Sequence, residues 1–339
     1  MIYKLGYVFF AFTLLTINHS IFGQTAILKG FSKNHFAKVH LIDKEKNESV
    51  ITIFNNSDNK IILKIKSESY VMDTQLEDLK SNSSQEIVLY QDFNFDNYED
   101  FAIQTAYSSK GPSYSIFLFK DGKYILDNVY TNIIQNSQGN FDLDKNTKTI
   151  STRGNGGCCW HSYSKFVVTN GIPKLMSETI EELDFSIETV TETIWKNGKY
   201  NKSVVNTINL ENEGIKEIMS FNLKNSKKRV VLYNINDRTL NYALIKSDNT
   251  IEFYFPIEVE YKKPDFGINT SSTLSELTFK NKGVKYKIYQ NKTKQGVIEI
   301  GILVDSNGKI FNLQGEISTL KGNLKWSDII ELDNVFTEK

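Results

Sequence analysis

Residues 114–126 read YSIFLFKDGKYIL, two apolar-rich runs joined by Asp121-Gly122. Aromatic and β-branched residues suit a pleated, half-buried surface. The Asp-Gly pair accepts positive φ at little cost and closes a tight hairpin. Outward from this hairpin the same unit recurs. SVITIFNN, NKIILKIKSESYVM, QEIVLYQDF, TKTISTRG, SKFVVTNGIPKLM and KRVVLYNIN all read as strands. Asn170-Gly171, Asn197-Gly198 and Asn307-Gly308 supply further turns. Helical periodicity is weak except around 177–183. An all-β fold of antiparallel hairpins follows.

The chain has 339 residues with 40 basic and 40 acidic side chains and is 40% hydrophobic, a globular composition. A formal net charge of +0 argues against nucleic acid, which needs a concentrated basic face; the densest cluster, Lys224 to Arg229, is short. The start is different. MIYK is weakly basic, LGYVFFAFTLLTI is an apolar run of 13 residues, and NHSIFGQ turns polar with the small Gly23. A bilayer crossing needs about 20 residues, so this pattern predicts a signal peptide over 1–23 and a mature chain from about Gln24. The expected protein is exported, periplasmic or secreted, with no membrane contact beyond the signal peptide.

The Asn-rich stretch NGKYNKSVVNTINLENEG predicts a break between about residues 196 and 216. Two parts follow: residues 24–200 and 206–339. The second continues as strand, turn, strand, and a small closed antiparallel barrel is the economical arrangement because closure removes exposed edges.

The first part contains DFNFDNYEDF at 92–101. Calcium takes six to eight oxygens, and alternating Asp and Asn can supply them. Asp92, Asn94 and Asp96 would fill positions 1, 3 and 5, the Tyr98 carbonyl position 7 and Asp100 position 9. Asn97 stands where glycine is common, and Asn is the residue that next best tolerates a left-handed backbone. The competing reading is an acidic turn whose side chains bond their own backbone. Three nearby negative charges and flanking strands favour the cation, in a structural role.

The two cysteines, Cys158 and Cys159, are adjacent within RGNGGCCWHSY. Neighbouring Cα atoms about 3.8 Å apart fall below the usual disulfide range. A vicinal disulfide, two free thiols, and a soft-metal site with His161 are the alternatives, and export favours the disulfide over thiols. Cys159 and His161 would share a strand face, but a nucleophile needs an orienting acid and an oxyanion site that no motif supplies. The chain therefore reads as a non-enzyme, with Trp160 and Tyr163 serving packing or a partner.

VLYQDFNFDNYEDFAI, then YSIFLFKDGKYIL, then FDLDKNTKTISTRG and YSKFVV resemble exported bacterial calcium-binding β-propeller-like immunity proteins, which protect against lysozyme-like toxins. The resemblance spans roughly residues 85–180, and its loop pattern also occurs in FG-GAP-type adhesion propellers. It implies calcium on Asp92, Asn94, Asp96, Tyr98 and Asp100, with Asn97 in place of the usual glycine. IEFYFP, SELTFKNKGVKYKIYQ, GVIEIGILVDSNGKIFNLQGE and GNLKW are similar in order to small β-barrel lysozyme inhibitors, without the cysteine those carry near Gly315 and Glu316. Together these imply a protein partner, a lysozyme-like glycoside hydrolase whose cleft is occluded. The alternative is a cell-envelope adhesion or glycan-binding module.

Overall fold

A computed structural model describes residues 25–43, 46, 48–68, 87–257 and 264–338. The expected signal peptide at 1–23 and the cut before Gln24 lie outside them. The described residues are almost entirely strand, as the hairpin pattern predicts. None of their helices is long and apolar enough to cross a membrane. The chain divides into two compact units, Met1–Gln135 and Asn136–Lys339.

The first unit holds two four-stranded antiparallel meanders. One is β1 (Thr25–Leu28), β2 (His35–Asp43), β3 (Glu48–Asn55) and β4 (Ile61–Ser67). The other is β5 (Val88–Gln91), β6 (Asp100–Ser108), β7 (Gly111–Lys120) and β8 (Lys123–Leu126). Alternation sets which side chains turn inward. Leu28, Ala37, Val39, Ile51 and Ile53 from the first sheet share one buried cluster with Val88, Phe101, Ile103 and Phe117 from the second. The β7–β8 turn is the predicted one, with φ of 50° at Asp121 and 76° at Gly122.

A helix follows that the pattern does not predict, α1 (Asn128–Gln135). Val129, Thr131, Ile133 and Ile134 are all β-branched, so local propensity points away from helix. Two local contacts decide otherwise. The Asp127 carboxylate caps the helix, accepting from the backbone N–H of Val129 and Tyr130 at 3.0 and 3.2 Å. Thr131 Oγ1 then accepts the buried N–H of Ile116 on β7 at 2.9 Å.

The second unit opens with a six-stranded meander: β9 (Phe141–Asp144), β10 (Thr149–Asn155), β11 (Trp160–Thr169), β12 (Ile172–Asp184), β13 (Ile187–Lys196) and β14 (Lys199–Ile208). The helical hint at 177–183 is strand: Ser177 to Asp184 pair residue by residue with Ile194 to Ile187. The polar stretch expected to separate two parts contains β14, paired along its whole length with β13. Its polarity reflects exposure at a sheet edge, since Lys199 to Val205 are all exposed.

Two facing sheets complete the unit. β15 (Ile215–Asn222), β16 (Arg229–Ile235), β17 (Thr239–Ile245) and β18 (Ile251–Phe255) form the first, extended by the short β24 (Lys321–Gly322). The second contains β19 (Phe266–Thr270), β20 (Leu274–Asn281), β21 (Val284–Thr293), β22 (Gly296–Ser306), β23 (Lys309–Gln314) and β25 (Val335–Thr337). A one-turn helix, α2 (Trp326–Ile329), lies between β24 and β25. The sheets enclose one apolar core, with Phe221, Leu232 and Tyr242 on one side and Phe266, Leu277, Ile288 and Ile302 on the other. An isolated bridge from Leu223 to Gly315 joins them. Where a small closed barrel is expected, the chain has two separate sheets around one core, bridged at a corner.

Replacing Thr131 by Val removes the acceptor for a buried N–H while keeping the side chain's shape. Urea melts are expected to show a loss of about 1–3 kcal/mol relative to the wild type.

Candidate functional site

The loop 92–99 connects β5 to β6, and its polar side chains turn inward toward their own backbone. The Asp92 carboxylate accepts from the N–H groups of Asp96 and Asn97, at 3.1 and 2.9 Å. Asn94 Oδ1 accepts from the same Asp96 N–H at 3.1 Å, which brings the Asp92 and Asn94 oxygens to one donor. Asp96 accepts from the Tyr98 N–H at 2.8 Å and from the Asn94 amide at 2.8 Å. Asp100 is the anchor: its two oxygens take the N–H groups of Phe93 and Phe119, at 2.9 and 2.8 Å. One carboxylate therefore ties the loop's start to the end of β7.

Asp92, Asn94 and Asp100 are buried, while Asp96, Asn97 and Tyr98 are exposed. Asn97 has a φ of 73°, the left-handed conformation expected at that position. Phe95 also has a positive φ, 57°, which the sequence pattern does not suggest. It is buried, as is Phe93, so apolar anchoring holds a backbone geometry unfavourable for a bulky residue. The Tyr98 ring lies tilted against Phe119, with centroids 5.6 Å apart.

The charges are concentrated and uncompensated by side chains. No Lys or Arg forms an ion pair with Asp92, Asp96 or Asp100 among the described residues. Burial pushes the Asp100 carboxyl up to about 7 against the two backbone N–H groups that favour its charge, and Asp96 and Asp92 push it further upward. Burial also raises the nearby Tyr130 hydroxyl, with Asp127 and the loop carboxylates adding to the shift.

The donor set is all oxygen, as a hard cation requires. Asp92, Asn94 and Asp96 lie on one short loop and Asp100 at the start of the strand that follows it. Their oxygens are engaged with backbone N–H groups and, at Asp96, with the Asn94 side-chain amide. No cluster of three or more His, Cys, Asp or Glu side chains is gathered for a metal among the described residues. The donor chemistry fits calcium, and Asp92, Asn94, Asp96, Asp100 and the Tyr98 carbonyl are the groups that would hold it. The N–H groups of Phe93 and Phe119 are the part of the site that sequence reasoning missed; Phe119 lies 19 residues from Asp100, and no local spacing signals that contact.

The cysteine pair sits in the β10–β11 turn as a vicinal disulfide between Cys158 and Cys159. With both sulfurs bonded there is no thiol for His161 to activate and no thiolate for a soft metal. The glycines around it have a packing reason. A Cβ on Gly156 would meet the Trp160 side chain at 3.0 Å, and one on Gly154 would meet Ser162 Oγ at 2.5 Å. The Arg153 guanidinium lies over the Tyr163 ring, 5.5 Å from the ring centroid.

A second feature, unmarked in the sequence, is the β12–β13 turn. Phe185 is 63% exposed and has a φ of 49°, a conformation costly for an aromatic residue. The turn is fixed from below. Ser186 is buried and its hydroxyl donates to the Tyr233 hydroxyl at 3.2 Å. Asn209 N–H donates to the Ser186 carbonyl at 3.1 Å, and the Asn212 amide donates to the Phe185 carbonyl at 3.4 Å. Around it Glu182, Asp184, Glu188, Glu211 and Glu213 are exposed.

No family model matches the chain, and no curated protein does. Solved structures give loose likenesses. A Xanthomonas type IV secretion system related protein is 15% identical, covering 52% of this chain and 92% of its own, with a TM-score of 0.36. The protein lmo1340 from Listeria monocytogenes is 10% identical, over 85% of this chain and 93% of its own, with a TM-score of 0.24. TolB from Acinetobacter baumannii is 9% identical, over 86% of this chain and 65% of its own, with a TM-score of 0.22. Likenesses this loose carry no functional argument.

Asp100 generates a pH prediction for protein held in chelator. The folded state keeps its proton up to about pH 7, whereas the unfolded chain releases it near 3.8. This group's contribution is therefore largest at low pH and is lost as pH rises through that window. Between about pH 5 and 8 the wild type is expected to lose roughly 1–2 kcal/mol more than Asp100→Asn, allowing for solvent screening. Urea melts at the two pH values measure the difference.

Proposed function

We propose that this chain is an exported, calcium-stabilised binding protein that occludes the cleft of a lysozyme-like peptidoglycan hydrolase. Asp92, Asn94, Asp96, Asp100 and the Tyr98 carbonyl would hold the ion. Its role is structural: it neutralises three carboxylates and pins the β5–β6 crossing. The protein performs no chemistry on its partner.

The observation that carries the reading is the Phe185 turn. An aromatic side chain held outward in an unfavourable backbone conformation, on a turn braced by a buried serine, is a preorganised anchor for a pocket. The exposed carboxylates around it suit a partner with a basic rim, and such complementarity speeds and orients docking. The resemblance of 85–180 to calcium-binding immunity proteins supplies the hydrolase as the partner. Export is part of the proposal through the apolar run at the start of the chain.

One observation favours a glycan-binding module instead. On the β19–β22 sheet a cavity of about 600 Å³ is lined by Tyr286, Phe336, Lys285, Asp305 and Glu338, aromatic and charged groups of the kind that hold sugars.

Pull-down against a panel of muramidases separates the two. The wild type is expected to retain a hydrolase and to protect cell walls from it, and Phe185→Ala to weaken retention at least about tenfold. Retention of cell-wall glycan without any hydrolase would favour the cavity, and binding of neither would overturn both.

A further inference from the structure

One face of the β9–β14 meander is hollowed where β9 to β12 run side by side. Residues directly opposite in an antiparallel pair project to the same side. Ser151 stands between Asp142 on β9 and Lys165 on β11, and Lys165 stands beside Ser177 on β12. One row along the same face, Arg153 stands beside Tyr163, and Tyr163 beside Thr179. The Arg153 backbone N–H donates to the Asn140 carbonyl at 2.9 Å, which brings the residue before β9 into that row. Ser151, Ser177 and Thr179 are short and half-buried and form the floor. Asn140, Asp142, Arg153 and Lys165 are exposed and form the rim. Together they line a cavity of about 500 Å³, within the range of small-molecule sites.

The polar groups of this hollow are open to a ligand. Neither Arg153 nor Lys165 forms an ion pair among the described residues, and the floor hydroxyls have no hydrogen-bond partner there. The Arg153 guanidinium lies over the Tyr163 ring, and stacking of this kind steadies a long side chain without using its N–H groups. The neighbouring Asp144 is already held by its own turn. Its carboxylate accepts from Thr147 Oγ1 at 2.7 Å and from the Asn146 N–H at 2.9 Å.

Charge and hydroxyls together name the ligand. Arg153 and Lys165 outweigh Asp142 on the rim, so a monoanion suits the hollow. A doubly charged phosphate would crowd Asp142, and a polyanion needs a longer basic face. Arg153 and Lys165 are diagonal neighbours on adjacent strands, about 7–8 Å apart at the backbone, a gap that two long side chains can close on one carboxylate. Asp142 and Asn140 can accept sugar hydroxyls, and the floor hydroxyls can donate or accept. We propose that this hollow binds a sugar acid of the uronate type. Its carboxylate lies between Arg153 and Lys165, and its ring hydroxyls lie over Ser151, Ser177 and Thr179 toward Asp142. The hollow shares no residue with the acidic loop, the Phe185 turn or the Tyr286 cavity.

Calorimetric titration of the whole protein with sodium glucuronate at low ionic strength tests the assignment, with neutral methyl glucoside and inorganic phosphate as comparisons. The wild type is expected to bind glucuronate at least about tenfold more tightly than either comparison. Arg153→Gln and Lys165→Gln should each weaken glucuronate at least about tenfold. Both side chains are exposed, so the melting temperature should stay within about 2 °C. Asp142→Asn removes the repelling charge and should narrow the preference over phosphate. No binding of glucuronate at any attainable concentration overturns the proposal. So does equal affinity for glucuronate and phosphate in the wild type, or glucuronate affinity unchanged in both glutamine variants. If the Arg153 variant melts early, Lys165→Gln decides alone.

Discussion

A single buried carboxylate, Asp100, orders the acidic loop that is proposed to hold the cation. It stands at the first residue of β6 and accepts N–H groups from the start of the acidic loop and from the end of β7. The two bonds favour its charge, and its burial opposes it. Two more carboxylates on the same loop sharpen the conflict. The loop's polar side chains bond its own backbone, while Phe93 and Phe95 are buried beneath it.

The rest of the chain reuses one device. Short strands alternate inward and outward side chains, and tight turns return them. The resulting sheets bury their apolar faces in pairs: β1–β4 against β5–β8 in the first unit, and β15–β18 against β19–β23 in the second. The meander β9–β14 differs. Apart from Ile150 and Val168 its strands bury few apolar side chains, so its faces, its β12–β13 turn and its free edge are surface. The proposed anchor, Phe185, sits at one end of it.

Much of the fold was legible because its turns carry chemistry that has one meaning. Asp121-Gly122, Asn170-Gly171, Asn197-Gly198 and Asn307-Gly308 each adopt positive φ at both residues, as their composition predicts. The strand order of the C-terminal region also follows the quoted runs. Other features depend on contacts distant in sequence. α1 is built largely from strand-forming residues and stands on Asp127 and on Thr131's bond to β7. β14 looks like a linker because an edge strand exposed on both sides need not be apolar. Phe95 and Phe185 take backbone conformations that their residue type argues against, and only the surrounding packing reveals them. The loop ligands were readable as an alternation, whereas the backbone donors that position Asp100 were not.

The central claim is that a cation completes the 92–100 loop, and amide hydrogen exchange at Phe93, Asp96, Asn97 and Phe119 tests it most directly. Adding calcium to chelator-treated protein is predicted to slow exchange at these positions at least about tenfold, through preferential binding to the closed loop. Identical exchange with calcium and with chelator would contradict it and leave the loop as a self-bonded acidic turn.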